Sequence, residues 1–133
     1  MVLKPAPFTA AGTSPASLDN KAMAKLYHYK DEIVFLRKSK DSFGGNLAII
    51  LISITEGYEE RFANLTVNLG PVPDQRCAYI DTNNLNWGGF DVIAWGEKNR
   101  IFRKTKFSRQ SGYCTYPLVQ FTEAALADAE GVE

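Results

Sequence analysis

The alternation of hydrophobic and polar positions is clearest between Leu47 and Leu69, LAIILISITEGYEERFANLTVNL. From Leu47 to Thr55 both parities are apolar. Leu47, Ile49 and Leu51 fall on one, and Ala48, Ile50, Ile52 and Ile54 on the other. A strand apolar on both faces is covered on both, so this run predicts a strand in the middle of a sheet. A buried helix competes for so short a run, but the β-branched isoleucines and the Glu56-Gly57 that follows favour strand and turn. Arg61–Leu69 alternates strictly, with Ala63, Leu65, Val67 and Leu69 on one face and Phe62, Asn64, Thr66 and Asn68 on the other. This predicts a half-buried partner strand that presents an amide-bearing face.

Shorter elements surround this hairpin. Lys25–Tyr29 and Ile33–Lys38 predict a second hairpin turning at Lys30-Asp31. Cys77–Ile80 reads as a short apolar strand. Asp81-Thr82-Asn83-Asn84 reads as a turn or helix cap, because these side chains bond nearby backbone N–H groups. A short helix is expected within Leu85–Lys98, where Phe90, Ile93 and Ala94 have helical spacing and Gly88-Gly89 oppose it. Arg100–Phe107 has the pattern of a poor strand, and Arg109–Gly112 that of a turn. Tyr113–Phe121 is a last strand, which Pro117 confines to an edge or forces to bulge. Thr122 can cap a terminal helix over Glu123–Ala129. Residues 1–20, rich in Pro, Ala, Ser and Thr, predict a flexible arm. The expectation is one α+β domain over 21–133. Its mostly antiparallel sheet is built on the Leu47–Leu69 hairpin, with one short central helix and a C-terminal helix.

Composition narrows the function. With 45% hydrophobic and 23% charged residues, the chain is that of a folded domain. A net charge of +0 supplies no general field to steer it to phosphate. Two cysteines, Cys77 and Cys114, and one histidine, His28, are scattered and match neither a disulfide framework nor metal-ligand spacing. No metal or cofactor is expected. No run reaches the roughly 20 apolar residues of a membrane helix, and the N-terminal stretch lacks the apolar core of a secretory signal. The expectation is a cytoplasmic protein without a membrane partner.

One stretch carries candidate chemistry. Lys98, Arg100, Arg103, Lys104, Lys106 and Arg109 follow one another with no acid between them, and Phe102 and Phe107 lie among them. Such a run can be a solvated face, a surface for an acidic patch on a protein, or a track for single-stranded nucleic acid. It can also pair with the acidic C-terminal residues Glu123, Asp128, Glu130 and Glu133. Trp87 and Trp95 are either core residues or interface anchors beside it. Cys114 acting as a nucleophile would need a base or cation nearby. His28 is the only imidazole, and nothing in the sequence places it there.

GNLAIILI…FANLTVNL, AYIDTNNL and SGYCTYPLVQF, within Gly45–Phe121, together resemble DUF4313. This is an uncharacterised family of small bacterial proteins carried mainly on conjugative elements and phages. Asp81, Thr82, Asn83 and Asn84, then Gly112, Cys114, Thr115, Tyr116 and Pro117, occupy its signature positions. Between Leu85 and Arg109 the chain departs from the family's acidic helical linker, carrying two tryptophans, Gly-Gly and the basic run. The resemblance implies a mobile-element context and carries over no catalytic residue. Asp81, Asn83, Asn84 and Cys114 form a candidate polar pocket, or simply pin strand ends together. The resulting expectation is a non-enzymatic interaction protein, an inhibitor of a host defence nuclease (CRISPR or restriction). It would bind that protein partner through Lys98–Arg109 with Trp87 and Trp95. The alternatives are a nucleic-acid-binding module using the same stretch and a small enzyme using Cys114.

Overall fold

The computed structural model describes residues 25–39, 46–55 and 57–129; the expected arm over 1–20 and the last acidic residues lie outside them. Two antiparallel sheets of four strands carry the fold. The first has the order β1 (Tyr27–Tyr29), β2 (Glu32–Lys38), β3 (Ile49–Thr55), β4 (Tyr58–Asn64). The second has the order β5 (Thr66–Val67), β6 (Cys77–Ile80), β8 (Cys114–Phe121), β7 (Phe102–Ser111). Three short helices complete the α+β architecture: α1 (Thr82–Leu85), α2 (Val92–Lys98) and α3 (Glu123–Asp128).

β3 lies between β2 and β4, and Ile49, Ile50, Leu51 and Ile52 are each at most 1% exposed. The doubly apolar run is therefore mid-sheet, as its pattern requires. The expected partner strand over Arg61–Leu69 is instead divided. Pairing with β3 shifts register between Leu51 and Ile52, so that Leu51 faces Ala63 and Ile52 faces Arg61. The extra residue, Phe62, packs edge-on against Tyr29 at 5.3 Å. At Leu65 the chain changes sheets. Its N–H donates to Ile49 O at 2.9 Å, while its carbonyl accepts from Asp81 N at 3.0 Å. One fully buried residue thus ties its backbone to both sheets. A strictly alternating sequence serves two sheets equally well, so alternation alone could not reveal the division.

One core joins both sheets and all three helices. Leu36 and Leu51 of the first sheet, Ile80 and Val119 of the second, and Leu85, Val92 and Ala125 of the helices belong to it. Trp95 on α2 donates its indole N–H to His28 O at 2.6 Å, fixing α2 to β1. Gly96 lets α2 lie directly on β7: a Cβ there would overlap the Phe102 ring. Asp91 caps α2, accepting from the N–H groups of Ile93 and Ala94. The central helix therefore starts at Val92, and Gly88 and Gly89, both at positive φ, lie in the loop before it. Asp81–Asn84 does not cap this helix. Thr82–Leu85 forms its own single turn, with Leu85 packed inward. Thr122 caps α3 by accepting from Ala125 N at 3.1 Å, as expected.

Candidate functional site

The basic run starts on the last residue of α2, passes through the turn at Arg100, and continues along β7, the edge of the second sheet. β7 extends through Ser111, past the point where a turn was expected, and closes on β8 through Gly112 and Tyr113. Gly112 has φ +62°, which the two-residue turn requires. The strand was hard to read because its burial does not alternate: Phe102 is its only buried residue. β8 is internal rather than an edge, and Pro117 is accommodated by a bulge. Pairing jumps from Lys104–Val119 to Ser108–Pro117, leaving Thr105, Lys106 and Phe107 opposite Leu118 alone. Thr105 Oγ1 donates to Leu118 O at 2.9 Å and accepts from Phe107 N at 3.1 Å, standing in for the lost ladder. Pairing between β6 and β8 also ends at Leu118. The proline thus sits where it owes no ladder bond to β6.

The six basic residues divide into two groups. Arg103 donates from Nε and Nη2 to Gln120 Oε1 at 3.1 and 2.8 Å. Gln120 in turn donates to Asp74 Oδ2 at 3.0 Å. The N–H of Arg76 and this amide hold the Asp74 carboxyl below its usual range. Arg109 reaches across the sheet to donate from Nη1 to Leu69 O at 2.7 Å. Its guanidinium lies so close to Gly70 that a Cβ there would come within 2.8 Å. Arg103 and Arg109 are therefore fastened to the fold. Lys98, Arg100, Lys104 and Lys106 are exposed, and none has an ion pair among the described residues. Glu123, one of the acids that might have paired with the run, lies 3.7 Å from Arg76 instead.

The two tryptophans part company. Trp95 is 8% exposed, with Tyr29 edge-on to it at 4.9 Å, so the structure corrects its assignment as an interface anchor: it is a core residue. Trp87 is 69% exposed, with Lys30 Nζ 4.4 Å from its ring centroid.

Asp81, Asn83, Asn84 and Cys114 do come together. Asn84 Nδ2 donates to Asp81 Oδ2 at 2.8 Å, and the Cys114 thiol donates to Asn83 Oδ1 at 3.1 Å. Tyr116, named in the sequence as a family signature position, joins them: desolvation, then its hydrogen bond to Cys114, raises its phenol above the ordinary value. These bonds join α1 to the start of β8. Cys77 is buried in the small cluster with Tyr79 and Leu118, against which Tyr116 also packs, and there desolvation and then the Asp74 charge raise its thiol. Both cysteines are free thiols. No contact brings His28 to Cys114; the His28 carbonyl is engaged by Trp95. The outward amides of the Leu47–Leu69 stretch are engaged locally. Thr66 Oγ1 accepts from Ile49 N, and Asn68 Oδ1 accepts from Asn46 Nδ2 and Gly70 N.

A cleft of about 710 Å³ opens between the start of α2 and the bulge of β7. Lys104, Lys106 and Phe107 form one wall, and Thr82, Asn86 and Asp91 the other. It was not legible from sequence, because the bulge that turns Lys106 and Phe107 out depends on Pro117 lying across the hairpin from Ser108. Among the described residues no helix is long and apolar enough to cross a membrane, and no group of three or more metal-ligating side chains forms.

Fold and surface define a two-sheet α+β protein with a basic sheet edge. Residues 36–132 match a family described as a domain of unknown function, DUF4313, and the chain belongs to that family. The match extends beyond Gly45–Phe121 on both sides, from β2 through α3, and leaves β1 outside. No curated protein and no solved structure matches the chain.

Proposed function

We propose that this is a non-enzymatic interaction protein that docks on a carboxylate-rich surface of a protein partner through β7 and the turn that feeds it. One observation carries the reading. Lys98 at the end of α2, Arg100 in the turn after it, and Lys104 and Lys106 on β7 all stand exposed, and none of their cationic groups has a carboxylate partner among the described residues, in a chain whose acids and bases number 15 each. Complementary charge gives specificity and faster encounter. The specific form proposed is an inhibitor of a host defence nuclease, CRISPR or restriction. Such an inhibitor would not act by imitating nucleic acid, because its exposed charges have the sign of the nuclease's own phosphate-binding groove. It would seat on an acidic face.

The test is capture of purified candidate nucleases by the full chain and by a Lys98→Glu/Arg100→Glu/Lys104→Glu variant. Reversal should weaken capture by about tenfold or more while leaving the melting transition in place. Equal capture by both proteins rejects this surface. A second reading, single-stranded nucleic acid, draws on Phe107, which is 55% exposed with Lys106 Nζ 5.5 Å from its ring centroid. Oligonucleotide binding that falls steeply with salt would favour it.

A further inference from the structure

The cleft between α2 and the β7 bulge has a donor-rich chemistry that the exposed edge alone lacks. Three of its acceptor atoms are engaged by the fold. Asp91 Oδ1 accepts from Ile93 N and Ala94 N at 3.0 and 3.3 Å, and Asn86 Oδ1 accepts from Val92 N at 2.8 Å. Thr105 Oγ1 accepts from Phe107 N at 3.1 Å. The donors are left over. Glu97 Oε2 is taken up by the backbone N–H of Lys104 at 3.0 Å, the ammonium groups of Lys104 and Lys106 have no carboxylate partner, and the hydroxyls of Thr82, Ser108 and Thr115 have no hydrogen bond among the described residues. Phe107 and Ile93 add apolar surface beside these donors. A cleft of about 710 Å³ lies in the range, about 300–1,000 Å³, that encloses a small ligand or a few residues of chain.

We infer that this cleft is a binding site for a short extended acidic peptide segment, with carboxylates on Lys104 and Lys106 and an aromatic or aliphatic neighbour against Phe107. This rests on the reading of the protein as an interaction module and names the chemistry of the contacted segment. A peptide fits better than a nucleic-acid strand for an electrostatic reason. A phosphodiester carries a charge at every residue, and a strand lying along the cleft would set one against the Asp91 carboxylate in the opposite wall. A peptide backbone carries no charge, so a peptide can set its acids against Lys104 and Lys106 and bring only uncharged groups near Asp91. The bulge makes the site. It turns two successive residues, one cationic and one aromatic, out of a ladder that would otherwise send them to opposite faces.

The test uses the full chain, ¹⁵N-labelled, titrated separately with three probes. They are a capped hexapeptide of alternating aspartate and phenylalanine, its alternating lysine and phenylalanine counterpart, and oligodeoxythymidylate. The acidic peptide should shift the amides of Lys104, Lys106, Ser108 and Thr115 saturably. Lys104→Glu/Lys106→Glu should weaken it by about tenfold or more, and Phe107→Ser by a smaller factor. Lys25→Glu, ahead of β1 and outside the cleft lining, should leave it unchanged. Absence of saturable shifts in the cleft overturns the inference, as do equal shifts with the lysine peptide. Oligodeoxythymidylate binding more tightly at the same amides replaces it with a nucleic-acid site. Failure here together with charge-sensitive nuclease capture would leave the docking surface standing without the cleft. Peptide binding without capture would do the reverse.

Discussion

Strands β3 and β7 are opposite solutions to the same problem. β3 is seven residues long, has a ladder on each side, and buries residues of both faces. β7 is ten residues long, has one ladder, and buries Phe102 alone. Burial holds β3, so nearly every position in it is constrained. β7 is held by its hairpin and by a few directed bonds, including Arg103 to Gln120 and Arg109 to Leu69 O. An edge strand also exposes backbone groups that invite aggregation. Here charge guards the edge, the bulge interrupts it, and Glu97 Oε2 accepts from Lys104 N at 3.0 Å. A strand fixed at a few points leaves its other side chains free to serve a surface, and the candidate site lies there.

Truncating one residue in each strand should separate the two most strongly. Leu51→Ala empties a fully buried site and should cost about 2–5 kcal/mol of stability. Lys106→Ala should stay within about 0.5 kcal/mol. Chemical denaturation measures both, and similar losses at the two positions would erase the contrast.

A second effect belongs to the buried side of the first sheet. Burial, helped at Tyr27 by the Asp128 charge, pushes Tyr27 and Tyr29 up to about 12 from an ordinary 10.0. The phenol is neutral when protonated, so the folded state holds its proton where the unfolded chain has lost it. The contribution is fully present below pH 10 and declines as pH rises through about 12. Denaturation midpoints should therefore fall between those values, and Tyr27→Phe should flatten the fall. A midpoint unchanged across that interval would contradict the assigned burial.

The smallest effect concerns the polar ties. Arg109→Lys keeps the charge but loses the planar fork, and should cost about 1 kcal/mol or less. Its signature is faster amide exchange around Leu69–Asp74, whose strand exit the guanidinium holds. Unchanged exchange would mean the loop is fixed by its prolines alone.

Much of the fold was present in the order of residues. The isoleucine run placed β3 mid-sheet, Lys30-Asp31 marked the first hairpin, Thr122 announced α3, and Pro117 announced an edge or a bulge, of which the bulge is found in an internal strand. These signals are local: side-chain period, cap chemistry and proline's missing N–H act within a few residues. The tetrad Asp81–Asn84 and the thiol of Cys114 were also readable as companions, because both lie in hydrogen-bonding turn sequences at strand ends.

Other features required the chain to meet itself. Alternation over Arg61–Leu69 held through a change of sheet at Leu65, because period two is blind to which sheet a face belongs to. Trp87 and Trp95 are chemically alike, and only the placement of α2 against β1 buries one and leaves the other in water. Six cations read as one basic run, yet Arg103 and Arg109 are bound to residues 17 and 40 positions away. The cleft exists because α2 and a bulge in β7 converge. Sequence decided what each segment could form and how its charges were strung; long-range packing decided which of those charges remain available to a partner.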